Sequence, residues 1–98
     1  MAFVQIIDFT TSKFGEMQAM DKEWEAATEG KRRTRRRVVT RDHDNPDHYL
    51  YLVFFDSYEE AMANSDLPET SHFAERMMAL ADGPATFANL DVLQDDMG

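Results

Sequence analysis

Asp8, His72 and Arg36 are the residues of this chain whose types could move a proton and hold the anion left behind. Asp8 is an acid inside the otherwise apolar run Phe3-Val4-Gln5-Ile6-Ile7-Asp8-Phe9. Buried against a helix it would serve as a general base toward a phenol or an enol; the plainer reading is a strand-end aspartate that caps the following turn. His72 could take the same proton, because imidazole titrates near neutrality. It stands to one side of the Phe73/Met77/Leu80 stripe, however, where a histidine faces solvent. An arginine facing a cavity can hold a carboxylate or an enolate oxygen in a two-pronged fork. Strand alternation turns Arg36 one way and Arg35, Arg37 and Arg41 the other. The face expected to meet the helices is the one bearing Asp8, Arg36 and Phe54. The plainer reading of the arginines is a charged edge strand, or pairs with the surplus of acids.

Trp24 and Phe54 could wall a flat ligand beside these groups, although Trp24 with Met17 and Met20 also has the spacing of plain helix core. Tyr49 and Tyr51 alternate on one strand face, which suits phenolic hydrogen bonds to a ligand or packing at an interface. The segment Asp42-His43-Asp44-Asn45-Pro46-Asp47-His48 is rich in metal-binding types. It fails as a calcium loop, since Pro46 takes a ligand position and the turn glycine is absent. It reads as a hairpin turn, and no metal site is expected.

These residues sit in a 98-residue chain without cysteine, which excludes disulfides, thiol catalysis and cysteine-ligated metals. The length predicts a single domain over residues 1–98 ending in an acidic tail at 94–98. The start, Met1-Ala2-Phe3-Val4, offers no basic segment and no long apolar stretch, so the expectation is a cytosolic protein with no membrane partner. Seven of the ten basic residues fall between Lys31 and Arg41, where no acid occurs. The remainder holds 19 acidic and three basic residues, a net of −16, and such a field repels phosphate backbones. No nucleic-acid partner is expected.

Hydrophobic periodicity supplies the elements that would position the site. A strand over 3–9 is followed by a helix from about 12 to 29, its apolar positions Phe14, Met17, Met20, Trp24 and Ala27 recurring every three or four residues and Gly30 closing it. Residues 34–41 and 48–55 form a hairpin. Ser57-Tyr58-Glu59-Glu60 has the form of a capping box, opening a helix to about Asn64. Pro68 opens a second helical segment to Asp82, and the last strand covers 87–93. The order βαββαβ, with its second helix broken near Asp66, describes a ferredoxin-like α+β sandwich: a four-stranded antiparallel sheet with helices on one face. Both strand faces are apolar and helices can cover only one, so the other is expected to pack on a second copy as a homodimer.

Two such sheets face to face make a dimeric α/β barrel. Phe55-Asp56-Ser57-Tyr58-Glu59-Glu60-Ala61, then Asn64-Ser65-Asp66 and a helix through Phe73, is similar to the strand-to-helix junction of the antibiotic-biosynthesis monooxygenase and haem-degrading superfamily. The resemblance implies cofactor-independent oxygenation, in which an ionised small aromatic or polyketide-like substrate supplies electrons to O₂. It also implies that Met62 lines the pocket, and that His72 matches the histidine of the haem-degrading branch. Asp8 and Met62 stand where that branch has Asn and Trp, which argues against haem. The expectation is therefore a homodimeric, cofactor-free, monooxygenase-like protein in which Asp8 or His72 removes a proton, Arg36 holds the anion, and Trp24, Phe54 and Met62 surround the substrate. The alternative from another class is a non-catalytic barrel that binds a ligand or serves a structural role.

Overall fold

The computed structural model describes residues 1–96, so the last two positions of the acidic tail lie outside the described residues. Its elements are β1 (Phe3–Thr10), α1 (Phe14–Ala27), β2 (Arg36–Arg41), β3 (His48–Phe55), α2 (Tyr58–Ser65), α3 (Pro68–Leu80) and β4 (Thr86–Asp91). The strands form one antiparallel sheet in the order β2-β3-β1-β4, the ferredoxin-like arrangement expected. Among the described residues, no helix is long and apolar enough to cross a membrane.

Local chemistry accounts for the joints. The Ser57 side chain accepts the Glu60 N–H at 3.2 Å, capping α2 as anticipated. Pro68 occupies the first turn of α3, where its missing N–H leaves no bond unmade. After α1, the Thr28 hydroxyl donates to the Trp24 carbonyl at 2.6 Å and Gly30 turns the chain at φ +80°, a conformation that favours glycine. Thr11 fastens two layers together: its buried hydroxyl donates to the Leu80 carbonyl at 2.7 Å and accepts the Lys13 N–H at 3.0 Å.

The sheet register reverses the expected facing of the strands. Phe3 and Phe9 of β1 and Tyr49, Tyr51, Val53 and Phe55 of β3 are buried, and cross-strand pairing places Ile7, Arg37 and Phe87 on their side. The odd-numbered face therefore meets the helices. There Phe14 of α1 stacks on Tyr49 at 4.2 Å, Phe9 meets Tyr51 edge-on at 5.1 Å, and Met17, Met20 and Met77 close the core. Tyr49 and Tyr51 are thus core residues of the protomer, not interface residues. The even-numbered face, carrying Val4, Ile6, Val38, Leu50, Leu52, Phe54 and Leu90, is left without a helix. Size and charge decide between the two apolar faces. The larger rings fill the space under the helices, and the other face, if covered by them, would have to desolvate the charges of Asp8 and Arg36.

The basic run finds its acids on other elements. Lys31 pairs with Glu69 of α3 at 2.9 Å, Arg33 with Glu60 of α2 at 3.5 Å, and Arg35 with Asp56 at 3.4 Å. These exposed pairs each contribute no more than about 1 kcal/mol. Arg37 differs in being largely buried, and its setting belongs to the site.

Candidate functional site

A cavity of about 200 Å³ opens between the helix layer and the odd face of the sheet. Its walls are apolar and mostly aromatic, from Trp24 of α1, Phe55 of β3, Phe73 and Met77 of α3 and Phe87 of β4; Tyr51, Asn64, Thr70 and Ser71 supply polar atoms. A cavity of roughly 150 Å³ accepts benzene, so this one suits one or two fused rings.

The Tyr51 hydroxyl is buried and has no hydrogen-bond partner among the described residues. Burial first, and then the Asp21 carboxylate nearby, push its pKa far above the ordinary phenol value, while Arg37 opposes them. Asp21 adds to that shift through its charge and, to a smaller degree, as a nearby acceptor, but it does not reach the hydroxyl at full hydrogen-bond distance. Tyr51 therefore remains a protonated donor at neutral pH, with no acceptor at full hydrogen-bond distance among the described residues. An orphaned buried donor costs about 1–3 kcal/mol, so a group that persists in this state calls for an acceptor from outside.

Arg37 reaches the cavity from β2 in a fixed posture. One Nη donates to Asp21 Oδ1 at 2.6 Å, the other to Glu25 Oε1 at 3.2 Å, and the guanidinium lies 4.7 Å from the centre of the Trp24 ring. The Arg37 and Asp21 side chains are only 15% and 12% exposed. Trp24 in turn donates its indole N–H to Thr70 Oγ1 at 3.1 Å, which fixes the ring as a wall. Asn64 is buried, with its Oδ1 accepting the Arg33 N–H at 3.2 Å, so its NH₂ is what it has left for a guest.

Of the proton-transfer, anion-holding and pocket-wall residues expected from sequence, Trp24 alone lines this cavity, joined by Tyr51, which the sequence offered as a phenolic donor or an interface residue. Asp8, Arg36 and Phe54 lie on the even face across the sheet, where Arg36 covers the Phe54 ring at 5.8 Å. The burial on which Asp8 depended as a base is absent, since its side chain is 44% exposed. His72 is exposed, beside Glu23 and Arg76 in a separate groove between α1 and α3. Met62 packs on the Phe3/Val53/Phe55/Ala61 cluster behind the cavity. Tyr51, Arg37, Asp21 and Asn64 take the places those residues were expected to fill. Asp21 had a signal in the sequence: with Met17, Trp24 and Thr28 it makes a buried seam at helical spacing, and an acid in such a seam requires a cation.

The turn segment joins the site map in another way. His48 stands between two carboxylates, Nε2 to Asp8 Oδ1 and Nδ1 to Asp42 Oδ2, both at 2.7 Å. The bond to Asp42 first, then that to Asp8, raise the His48 pKa, and the same contact with His48 lowers that of Asp42. A raised imidazole pKa stabilises the fold fully below about 6.5, its unfolded value, and the contribution is lost as pH climbs through the folded value. A lowered carboxyl pKa contributes above about 3.9 and is lost as pH falls through the folded value. The difference in melting temperature between the natural chain and His48→Gln is thus expected to be largest between these limits and to shrink on the alkaline side. Melts at several pH values, with the imidazole titrated by NMR, check it; a difference that stays flat from about pH 5 to 9 contradicts it.

No family model matches the sequence, and no curated protein matches it. Solved structures do resemble it. SnoaB, a cofactor-independent oxygenase from Streptomyces nogalater, superposes with a TM-score of 0.80 at 14% identity over 96% of this chain and 95% of that one. Rv0793 from Mycobacterium tuberculosis gives 0.81 at 12% identity, over 99% of this chain and 100% of that one. An antibiotic biosynthesis monooxygenase gives 0.76 at 13%, over 96% and 100%. The chain has the fold of the antibiotic biosynthesis monooxygenase-like structures, as its strand-to-helix junction suggested.

Proposed function

We propose that this protein is a homodimeric, monooxygenase-like protein that binds a small aromatic compound of one or two rings in the Tyr51 cavity and oxygenates it without a cofactor. The unpartnered Tyr51 hydroxyl carries the reading, and the fold shared with a cofactor-independent oxygenase supports it. A neutral aromatic ketone, or the keto form of a phenol, would accept the Tyr51 hydrogen bond at its oxygen while Trp24, Phe73 and Phe87 sandwich the rings. That bond strengthens as a proton leaves the ring carbon and negative charge gathers on the oxygen, which lowers the barrier to the enolate. The enolate then reduces O₂. Overall R₂CH₂ + O₂ gives R₂C=O + H₂O, with all four electrons drawn from the substrate carbon, so no other reductant is needed. The described lining residues include no free carboxylate or imidazole. The proton therefore passes to water at the cavity mouth, and weakly acidic substrates are the ones suited.

The probe is 1-naphthol, whose keto form has a CH₂ para to its carbonyl and whose product is 1,4-naphthoquinone. One O₂ should be consumed per quinone formed, with one oxygen atom from ¹⁸O₂ in the product. Tyr51→Phe should lower kcat about 100-fold, the usual cost of an oxyanion donor. The same change should leave the unliganded protein as stable or more so, because the hydroxyl it removes has no partner. Binding of 1-naphthol without oxygen uptake would instead favour the non-catalytic barrel, a reading to which the lack of a free base in the cavity also lends weight.

A further inference from the structure

We infer that Asp21 sets the charge specificity of the cavity: by holding Arg37 together with Glu25, it makes the site accept neutral aromatic carbonyl compounds and reject carboxylates. The inference rests on the guest-binding reading of the Tyr51 cavity. An arginine at a cavity wall is ordinarily the group that recruits an anion, because its paired N–H groups match a carboxylate. Here each Nη already donates to a carboxylate, Asp21 at 2.6 Å and Glu25 at 3.2 Å, so an anionic guest would compete with two acids for the same cation. The guanidinium face is committed as well, at 4.7 Å from the Trp24 ring centre. One cation therefore faces two acids.

A carboxylate entering the cavity would leave water, meet no unpaired cation among the described lining residues and approach Asp21. Desolvating a charge without pairing it is among the costliest changes a binding site can impose. A neutral carbonyl loses little on entry and gains the Tyr51 hydroxyl, which burial and Asp21 keep protonated. The two features are complementary, because the acid that occupies the arginine also disfavours ionisation of the phenol.

The same arrangement bears on the proposed reaction. An enolate clamped by a free guanidinium would be stabilised and hence a weaker reductant toward O₂. One held only by a neutral hydroxyl keeps its electrons at higher energy.

A matched pair of probes tests the inference. 1-Naphthamide and 1-naphthoate have nearly the same shape and both offer an oxygen to Tyr51, but only the second is charged at neutral pH. Trp24, the sole tryptophan, reports occupancy through its fluorescence. The natural chain should bind the amide at least about 10-fold more tightly than the carboxylate. Asp21→Asn should tighten naphthoate about 10-fold while changing naphthamide by less than about 3-fold. Glu25→Gln, at a half-exposed position that leaves the inner pair intact, should act in the same direction by about 3-fold and covers the case in which Asp21→Asn does not fold. Naphthoate bound as tightly as naphthamide by the natural chain, or unmoved by both variants, overturns the charge selectivity and leaves the cavity reading standing. Binding of neither probe overturns the cavity reading, and the inference with it.

Discussion

Arg37→Met is expected to destabilise the fold by about 3–5 kcal/mol, the cost of breaking a buried ion pair from one side. The methionine keeps much of the bulk on Trp24 but strands Asp21, whose side chain is only 12% exposed and bonds no other cation among the described residues. For a chain of this size such a loss lowers Tm by more than about 12 °C. Breaking the pair and removing it are different operations. In the double variant Asp21→Leu/Arg37→Met no charge remains to be desolvated, and most of the lost stability should return, since apolar replacement of buried pairs is often neutral. Thermal melts of the two single variants and the double one complete the cycle. If Arg37→Met melts within a few degrees of the natural chain, the pair is not the fixed element that the charge selectivity requires.

The elements and their order were legible because hydrophobic period and end signals agree. Ser57 and Glu60, Pro68, and the break near Asp66 each appear where the pattern placed them. The site was largely not legible, for a single physical reason. On strands, neighbouring residues point to opposite faces, so one error of parity moves every side chain to the wrong side. Val4, Ile6, Leu50, Leu52 and Phe54 are as hydrophobic as Phe3, Phe9, Tyr51, Val53 and Phe55, and alternation alone could not rank the faces. The polar residues held the answer. Asp8 and Arg36 mark the even face as the one without a helix, whereas Arg37 on the odd face has acids within reach on α1 at Asp21 and Glu25. Reading both strand faces against the charges of the helix that must cover one of them would have selected Arg37 and Tyr51. The partnerless hydroxyl itself has no sequence signal, since whether a tyrosine finds an acceptor depends on atoms from three elements.

The open face leads to the other large effect, on assembly. Ile6 and Leu52 are paired at the centre of the two inner strands, with no helix above them. A contiguous face of this composition exceeds what a monomer ordinarily leaves in water, so the natural chain should run in solution at twice its 11.3 kDa. In a two-fold dimer every residue of the interface occurs twice. Ile6→Glu therefore buries two carboxylates near the axis and should weaken association more than about 100-fold, equivalent to roughly 3 kcal/mol. The cavity lies on the other side of the sheet, so the near-ultraviolet circular dichroism of Trp24 and Tyr51 should be unchanged in the resulting monomer. Light scattering across a dilution series measures both forms. A natural chain that is monomeric at micromolar concentration would mean that the even face has another partner. A dimer indifferent to Ile6→Glu would place the interface on the edges of the sheet, where β2 and β4 have unpaired backbone, and not on its face.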